Sequence, residues 1–224
     1  TWSNGLGHMN TFNTPGWQSR TQADYKTAST ALQNYYAALA TVPESISQFN
    51  HPGTTFGDFT DFAYWDPVVD SRVHLVEVGN GEGQVGAGGY YPSYEQYTMA
   101  LDKGWHLAPT NNQDNHKGKW GNANDARDVV LTDDFSLEGI YAAIRGMRMY
   151  ATEDKNLEIG YTVNGMLLGS IIDQVPEKLS FQVTLFDPDS ADSISKVELI
   201  VNSGKVAYTW DDAADLATDL VDSP

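Results

Sequence analysis

Cysteine is absent from all 224 residues. That excludes disulfides, thiolate zinc sites and a cysteine nucleophile, and it leaves any metal to histidine and carboxylate ligands. Positive charge is scarce: 13 Lys and Arg stand against 30 Asp and Glu, for a formal net charge of −17. A field of that sign repels nucleic-acid phosphates and no basic stripe offsets it, so nucleic acid is excluded as a partner, while cations are drawn in. Long apolar runs are missing as well. The most apolar stretch, residues 166–172, falls well short of the roughly 20 residues that cross a membrane, so membrane insertion is not expected. There is no signal peptide, and residue 1 is Thr, which reads as a chain cut from something longer. The acidity, the lack of cysteine and a C-terminal β unit point to a secreted or cell-surface bacterial protein.

What is present argues for a packed core: hydrophobic residues make up 41% and aromatics 12%. Up to about residue 153, strand-like and helix-like segments alternate. Residues 7–14 read as a strand end entering a loop, and residues 21–39 as an Ala-, Leu- and Tyr-rich helix. Residues 45–50 form a short strand stopped at His51-Pro52, and residues 73–78 a β-branched strand ending in Gly79-Asn80-Gly81. A helix over 94–103 is closed by Gly104; strands follow at 105–109 and 126–131. Ser136 starts another helix, with Leu137, Ile140, Ile144 and Met147 on one face. This alternation predicts an α/β unit with parallel strands, in which chemistry gathers at the carboxyl ends of the strands. From residue 154 to 224 the pattern becomes strand, turn, strand. Asn164-Gly165 is a hairpin signal and Asn202-Ser203-Gly204 a second turn, so a small antiparallel β-sandwich domain is expected, with an acidic tail from 211 that is helical or frayed.

There are five histidines. His74 alternates with apolar residues inside a strand and His106 opens one, so both read as structural. Asp114 and His116 are two apart after a strand and can turn toward one point; carboxylate and imidazole together suit Zn, Mn or Fe. His51 precedes Pro52, which stiffens the strand exit. His8 lies in Gly-Leu-Gly-His-Met-Asn, where glycine permits close backbone approach. Taken singly, each reads as a polar loop residue; three histidines and an aspartate at strand ends are together more than chance loops usually supply. Arg127 either clamps an anionic group or makes a surface ion pair, and the two readings stand level. Lys117 and Lys119 could meet an anion, although exposed solvation is the plainer reading. Asp187, Asp189 and Asp192 suggest a Ca²⁺ loop but lack its ligand count, so an acidic turn is preferred.

Read in order, Gly7-His8-Met9-Asn10, Phe49-Asn50-His51-Pro52, Val76-Glu77-Val78-Gly79-Asn80-Gly81, Ala100-Leu101-Asp102-Lys103-Gly104-Trp105, Asp114-Asn115-His116 and Arg148-Met149-Tyr150-Ala151-Thr152 form a series. The series resembles the PHP (polymerase and histidinol phosphatase) superfamily, in particular its CehA/McbA-like branch, over most of residues 1–152. The resemblance implies that residues 1–153 are the C-terminal part of a distorted PHP-type β/α barrel, followed by the β-sandwich of 154–224. It implies a metal-dependent hydrolase of phosphate esters or related esters, with two or three divalent ions (Zn, Mn or Fe). His8, His51, Asp114 and His116 match metal-ligand positions, and Arg127 is the candidate catalytic cation. The family's His-x-His pair, a later Asp-His element and a ligating Glu would lie N-terminal to His8, so a missing N-terminal segment of the same protein is an expected partner, and the chain alone is expected to be incomplete. The competing reading is a non-catalytic carbohydrate- or protein-binding surface module, suggested by the 6 Trp, 12 Tyr and 8 Phe.

Overall fold

The computed structural model describes residues 2–16, 30–53, 56–174, 176–211 and 217–221. Strands β1 (Trp2–Asn4) and β2 (Gly7–Phe12) form an antiparallel hairpin, and β2 pairs antiparallel with β3 (Ile46–Asn50). Strand β4 (Val73–Asn80) runs parallel to β3 on one side and to β6 (Ala108–Asn112) on the other. The two-residue β5 (Tyr91–Pro92) pairs antiparallel with the end of β4 and completes a six-stranded sheet. Strands β7 (Arg127–Val130) and β8 (Met149–Thr152) make a separate two-stranded ribbon. The unit is therefore mixed α/β, with parallel strands at its centre and no closed barrel among the described residues.

All five residues of β3 and all eight of β4 are buried, as expected of central parallel strands covered on both faces. One face packs on an aromatic core: Trp2 stacks on Tyr35, and the rings of Phe59, Phe62 and Trp105 surround Phe49. Helix α1 (Ala31–Ala40) supplies Leu32, Tyr35, Tyr36 and Leu39 to it. The helix expected over 21–39 is thus seen from 31 on, and 21–29 lie outside the described residues. Residues 59–62 make one left-handed turn, with φ between 53° and 58°. Such backbone costs roughly 1–2 kcal/mol per residue, and the complete burial of Phe59 and Phe62 holds it in place. A single turn, α2 (Pro67–Asp70), is capped by the Asp66 carboxylate, and Asp70 clamps His106 through both its backbone N–H and its ring, 2.9 and 2.7 Å. Helix α3 (Tyr94–Asp102) ends, as the sequence predicts, at Gly104, whose φ of 95° suits glycine. The strand expected at 105–109 begins only at Ala108, because Trp105 leaves the sheet to fill the core and donates from its indole to the Phe62 carbonyl.

Helix α4 (Leu137–Arg145), capped by Ser136, covers the other face. Tyr141, Ile144 and Met147 pack there on Ile46, Leu75 and Met149. Leu137 is exposed, so the apolar face is narrower than its spacing suggests. Under α4, burial and the nearby Arg145 push the His74 imidazole down to about 4. His74 must therefore stay neutral in the folded chain but takes up a proton near its ordinary pKa once unfolded. The resulting stability is present above pH 6.5 and is lost as pH falls toward 4. Between pH 7 and pH 5 the loss is about 2 kcal/mol, and His74→Leu is expected to shrink the drop in Tm between those pH values by about 4 °C. A variant melting with the same pH dependence as the parent would count against this assignment.

The C-terminal region is all β. Strands β9 (Glu158–Val163), β10 (Met166–Leu167), β11 (Lys178–Phe186) and β14 (Ala217–Val221) form a four-stranded antiparallel sheet; β12 (Val197–Val201) and β13 (Lys205–Trp210) form a ribbon. The two share a core around Phe181, Leu199 and Trp210. Asn164-Gly165 makes the expected tight turn, both residues at positive φ. The tail is a correction: 217–221 is neither helical nor frayed but pairs with β11 from Lys178↔Val221 to Gln182↔Ala217, because cross-strand pairing overrides the local acidity. Residues 212–216 and 222–224 lie outside the described residues. No helix among the described residues is long and apolar enough to cross a membrane.

Candidate functional site

Parallel pairing brings the carboxyl ends of β3, β4 and β6 to one edge of the sheet. His51 directly follows β3, and Asp114 stands two residues beyond β6. His8 arrives differently. It lies near the start of β2 rather than at a strand's end, and β2 runs antiparallel to β3 with His8 opposite Asn50. The two imidazoles therefore meet, His8 Nδ1 at 3.2 Å from His51 Nε2 with the rings nearly perpendicular. The Phe56 ring packs against both, its centroid 4.9 Å from each. His116 Nε2 lies 3.4 Å from Asp114 Oδ1, and its backbone N–H is held by Glu82. Burial lowers the pKa of His51, and the charge of Asp114 works against that shift.

Two positions carry backbone that a β-carbon resists: His51 has φ of 31° and Asp114 of 42°. Such conformations persist when surrounding bonds over-determine them. At His51 the restraint is Glu77, a residue of β4 that the ligand-pattern reading passed over. Glu77 is 3% exposed. Its Oε1 accepts from Gln48 Nε2 at 3.1 Å and Asn112 Nδ2 at 3.0 Å; its Oε2 accepts from Asn80 Nδ2 at 2.9 Å and from the His51 N–H at 2.5 Å. Burial pushes its carboxyl upward, but four N–H donors on its two oxygens leave no place for a proton and hold it as the carboxylate. With four donors on two oxygens, Glu77 holds side chains of all three parallel strands in place rather than presenting a vacant lone pair. The signal for it was available: an acid inside an otherwise apolar, fully buried strand demands partners.

Two clefts meet at His51 and Asp114. The larger, about 870 Å³, is walled by the backbone of Gly81, Gly83, Gly88 and Gly89, by Phe56 and Tyr91, and by Lys117 and Lys119. Gly81 has to be glycine, since at φ 118° a β-carbon would come within 2.1 Å of the Gly89 carbonyl oxygen. The smaller, about 430 Å³, contains Arg127 and Trp120. Arg127 spends Nη1 on the Asn124 and Ala126 carbonyls, 2.8 and 2.7 Å. Nearby Asp128 accepts from the Asn111 N–H at 2.6 Å and is pushed up to about 6 by burial.

Thus the structure brings His8 against His51 and Asp114 against His116, with His51 and Asp114 sharing both clefts. Among the described residues, three carboxylate or imidazole ligand atoms lie within 4.8 Å of one another only at Asp154, Asp189 and Asp192. There Lys155 already sits 2.9 Å from Asp189. Asp187 does not join them but caps the turn, accepting from the Asp189 N–H. Comparison with protein-family models, curated proteins and solved structures finds no match to this chain.

Proposed function

We propose that the chain is the C-terminal part of a metal-dependent phosphoesterase of the PHP type, its parallel strands being part of that barrel, and that His8, His51, Asp114 and His116 hold divalent metal. The observation that carries this is the facing pair His8–His51. Two nitrogens bound at about 2.0–2.1 Å to one tetrahedral ion lie about 3.3 Å apart, and the two imidazoles stand at 3.2 Å with His116 and Asp114 at 3.4 Å. Nitrogen with carboxylate oxygen suits Zn, Mn or Fe. The remaining ligands come, on this reading, from a segment N-terminal to residue 1.

Divalent ions bound there supply Lewis acidity and a more acidic water. The chain's own residues do the rest. Glu77 fixes the His51 turn, and Phe56 shields the two imidazoles from solvent on one side. Lys117 and Lys119 offer cations to the phosphate, and Arg127 orients the ester through the donors that Nη1 does not use. In the reaction a water oxygen bonds to phosphorus, the ester P–O bond breaks, and the leaving oxygen departs as the alcohol with a proton. Loading the chain with Zn or Mn, dialysing and measuring bound metal should show retention that His51→Ala reduces more than tenfold, the scale on which even supporting groups act. Hydrolysis of p-nitrophenyl phosphate by the chain joined to its upstream segment should fall in step. Absence of both retained metal and hydrolysis would sink the reading.

A further inference from the structure

The two clefts that share His51 and Asp114 differ in chemistry. The larger one offers Lys119, and Lys117 paired at 3.5 Å with Glu82, in a chain with only 13 basic residues, and bare glycine backbone beside them. The smaller is lined by seven carboxamides, of which Gln48 is already paired with Asn50 and Glu77 and Gln113 with Asn124, by the charged Arg127, Asp114 and Asp128, and by two aromatic rings that reach solvent, Phe12 and Trp120. Trp120 is 81% exposed. It is also positioned: the Asn115 carboxamide oxygen accepts from the Lys117 and Lys119 N–H groups, and glycines at positive φ, Gly118 and Gly121, flank it. An indole left in water at the lip of a cleft gains by stacking on a ligand face. Carboxamides both donate and accept, which suits hydroxyl groups and discriminates against purely apolar ones.

Resting on the phosphoesterase reading, we infer that the substrate is a phosphate monoester of a hydroxyl-rich ring alcohol, a sugar or cyclitol phosphate. Its ring occupies the carboxamide cleft against Trp120, and its phosphate sits at His51 and Asp114 on the side of Lys117 and Lys119. The scissile bond then lies where the two clefts join. Hydrolysis releases the free polyol and inorganic phosphate.

The test is calorimetric titration of the metal-loaded chain, joined to its upstream segment, with glucose 1-phosphate, phenyl phosphate and inorganic phosphate, in the parent and in Trp120→Ala. Glucose 1-phosphate should bind about tenfold more tightly than inorganic phosphate and more tightly than phenyl phosphate. Trp120→Ala should remove about five- to tenfold of that affinity while leaving inorganic phosphate unchanged; Trp120 is exposed, so the fold should be untouched. If all three ligands bind alike, or if Trp120→Ala has no effect on glucose 1-phosphate, the substrate class is overturned while the metal-phosphate site survives. If no phosphate compound binds in the presence of metal, the phosphoesterase reading fails and the inference with it.

Discussion

Glu77→Gln is expected to lower the melting temperature by about 6–12 °C, on a loss of about 3 kcal/mol. The glutamine side chain has nearly the same shape, so packing is not the cause. The carboxylate serves four donors, two on each oxygen. A glutamine can serve two of them with its oxygen, but its amide nitrogen then faces two further N–H groups in a buried pocket. Those donors cannot turn to water, because Gln48 and Asn80 are themselves buried. If the amide nitrogen faces His51, its N–H loses its acceptor and the left-handed turn loses the bond that holds it. If His51 holds metal as proposed, its affinity should then fall by about 10–100-fold, as for other groups that orient a ligand without touching the ion. Thermal melts and a zinc titration check both effects. A Tm within a degree of the parent would show that the four bonds are dispensable.

The same residue marks how far the sequence could be read. The apolar run of β4 showed a buried strand, and the Asn-Gly turn after β9 showed a hairpin, because both signals are local. His51 and Asp114 were legible because strands β3 and β6 end just before them, and parallel pairing sends those ends to one edge. His8 reached the site by a route the strand-end rule does not contain, an antiparallel neighbour whose start lies beside that edge. The partners of Glu77 come from positions 48, 51, 80 and 112, a convergence set by strand register rather than by spacing along the chain. The tail was misread for a similar reason. Residues 217–221 gain their structure from β11, some forty positions earlier, and their own composition is silent about it.

The shared position of His51 and Asp114 leads to a second large effect. Both residues line both clefts, and the charge of Asp114 acts on His51 and on Glu77. If they hold one centre, each single substitution, His51→Ala or Asp114→Ala, should reduce phosphatase activity of the metal-loaded protein by more than about 100-fold, beyond the loss expected from a merely supporting group. The double variant should be little worse than the poorer single, since groups that act as a unit are grossly non-additive. His116→Ala should cost less, because its side chain is 79% exposed and stands beside Asp114 at 3.4 Å. Measuring kcat/KM for the parent and the four variants, with bound metal determined for each, decides the matter. Multiplicative losses in the double variant would mean that His51 and Asp114 act independently, and the two clefts would then have to be assigned separate roles.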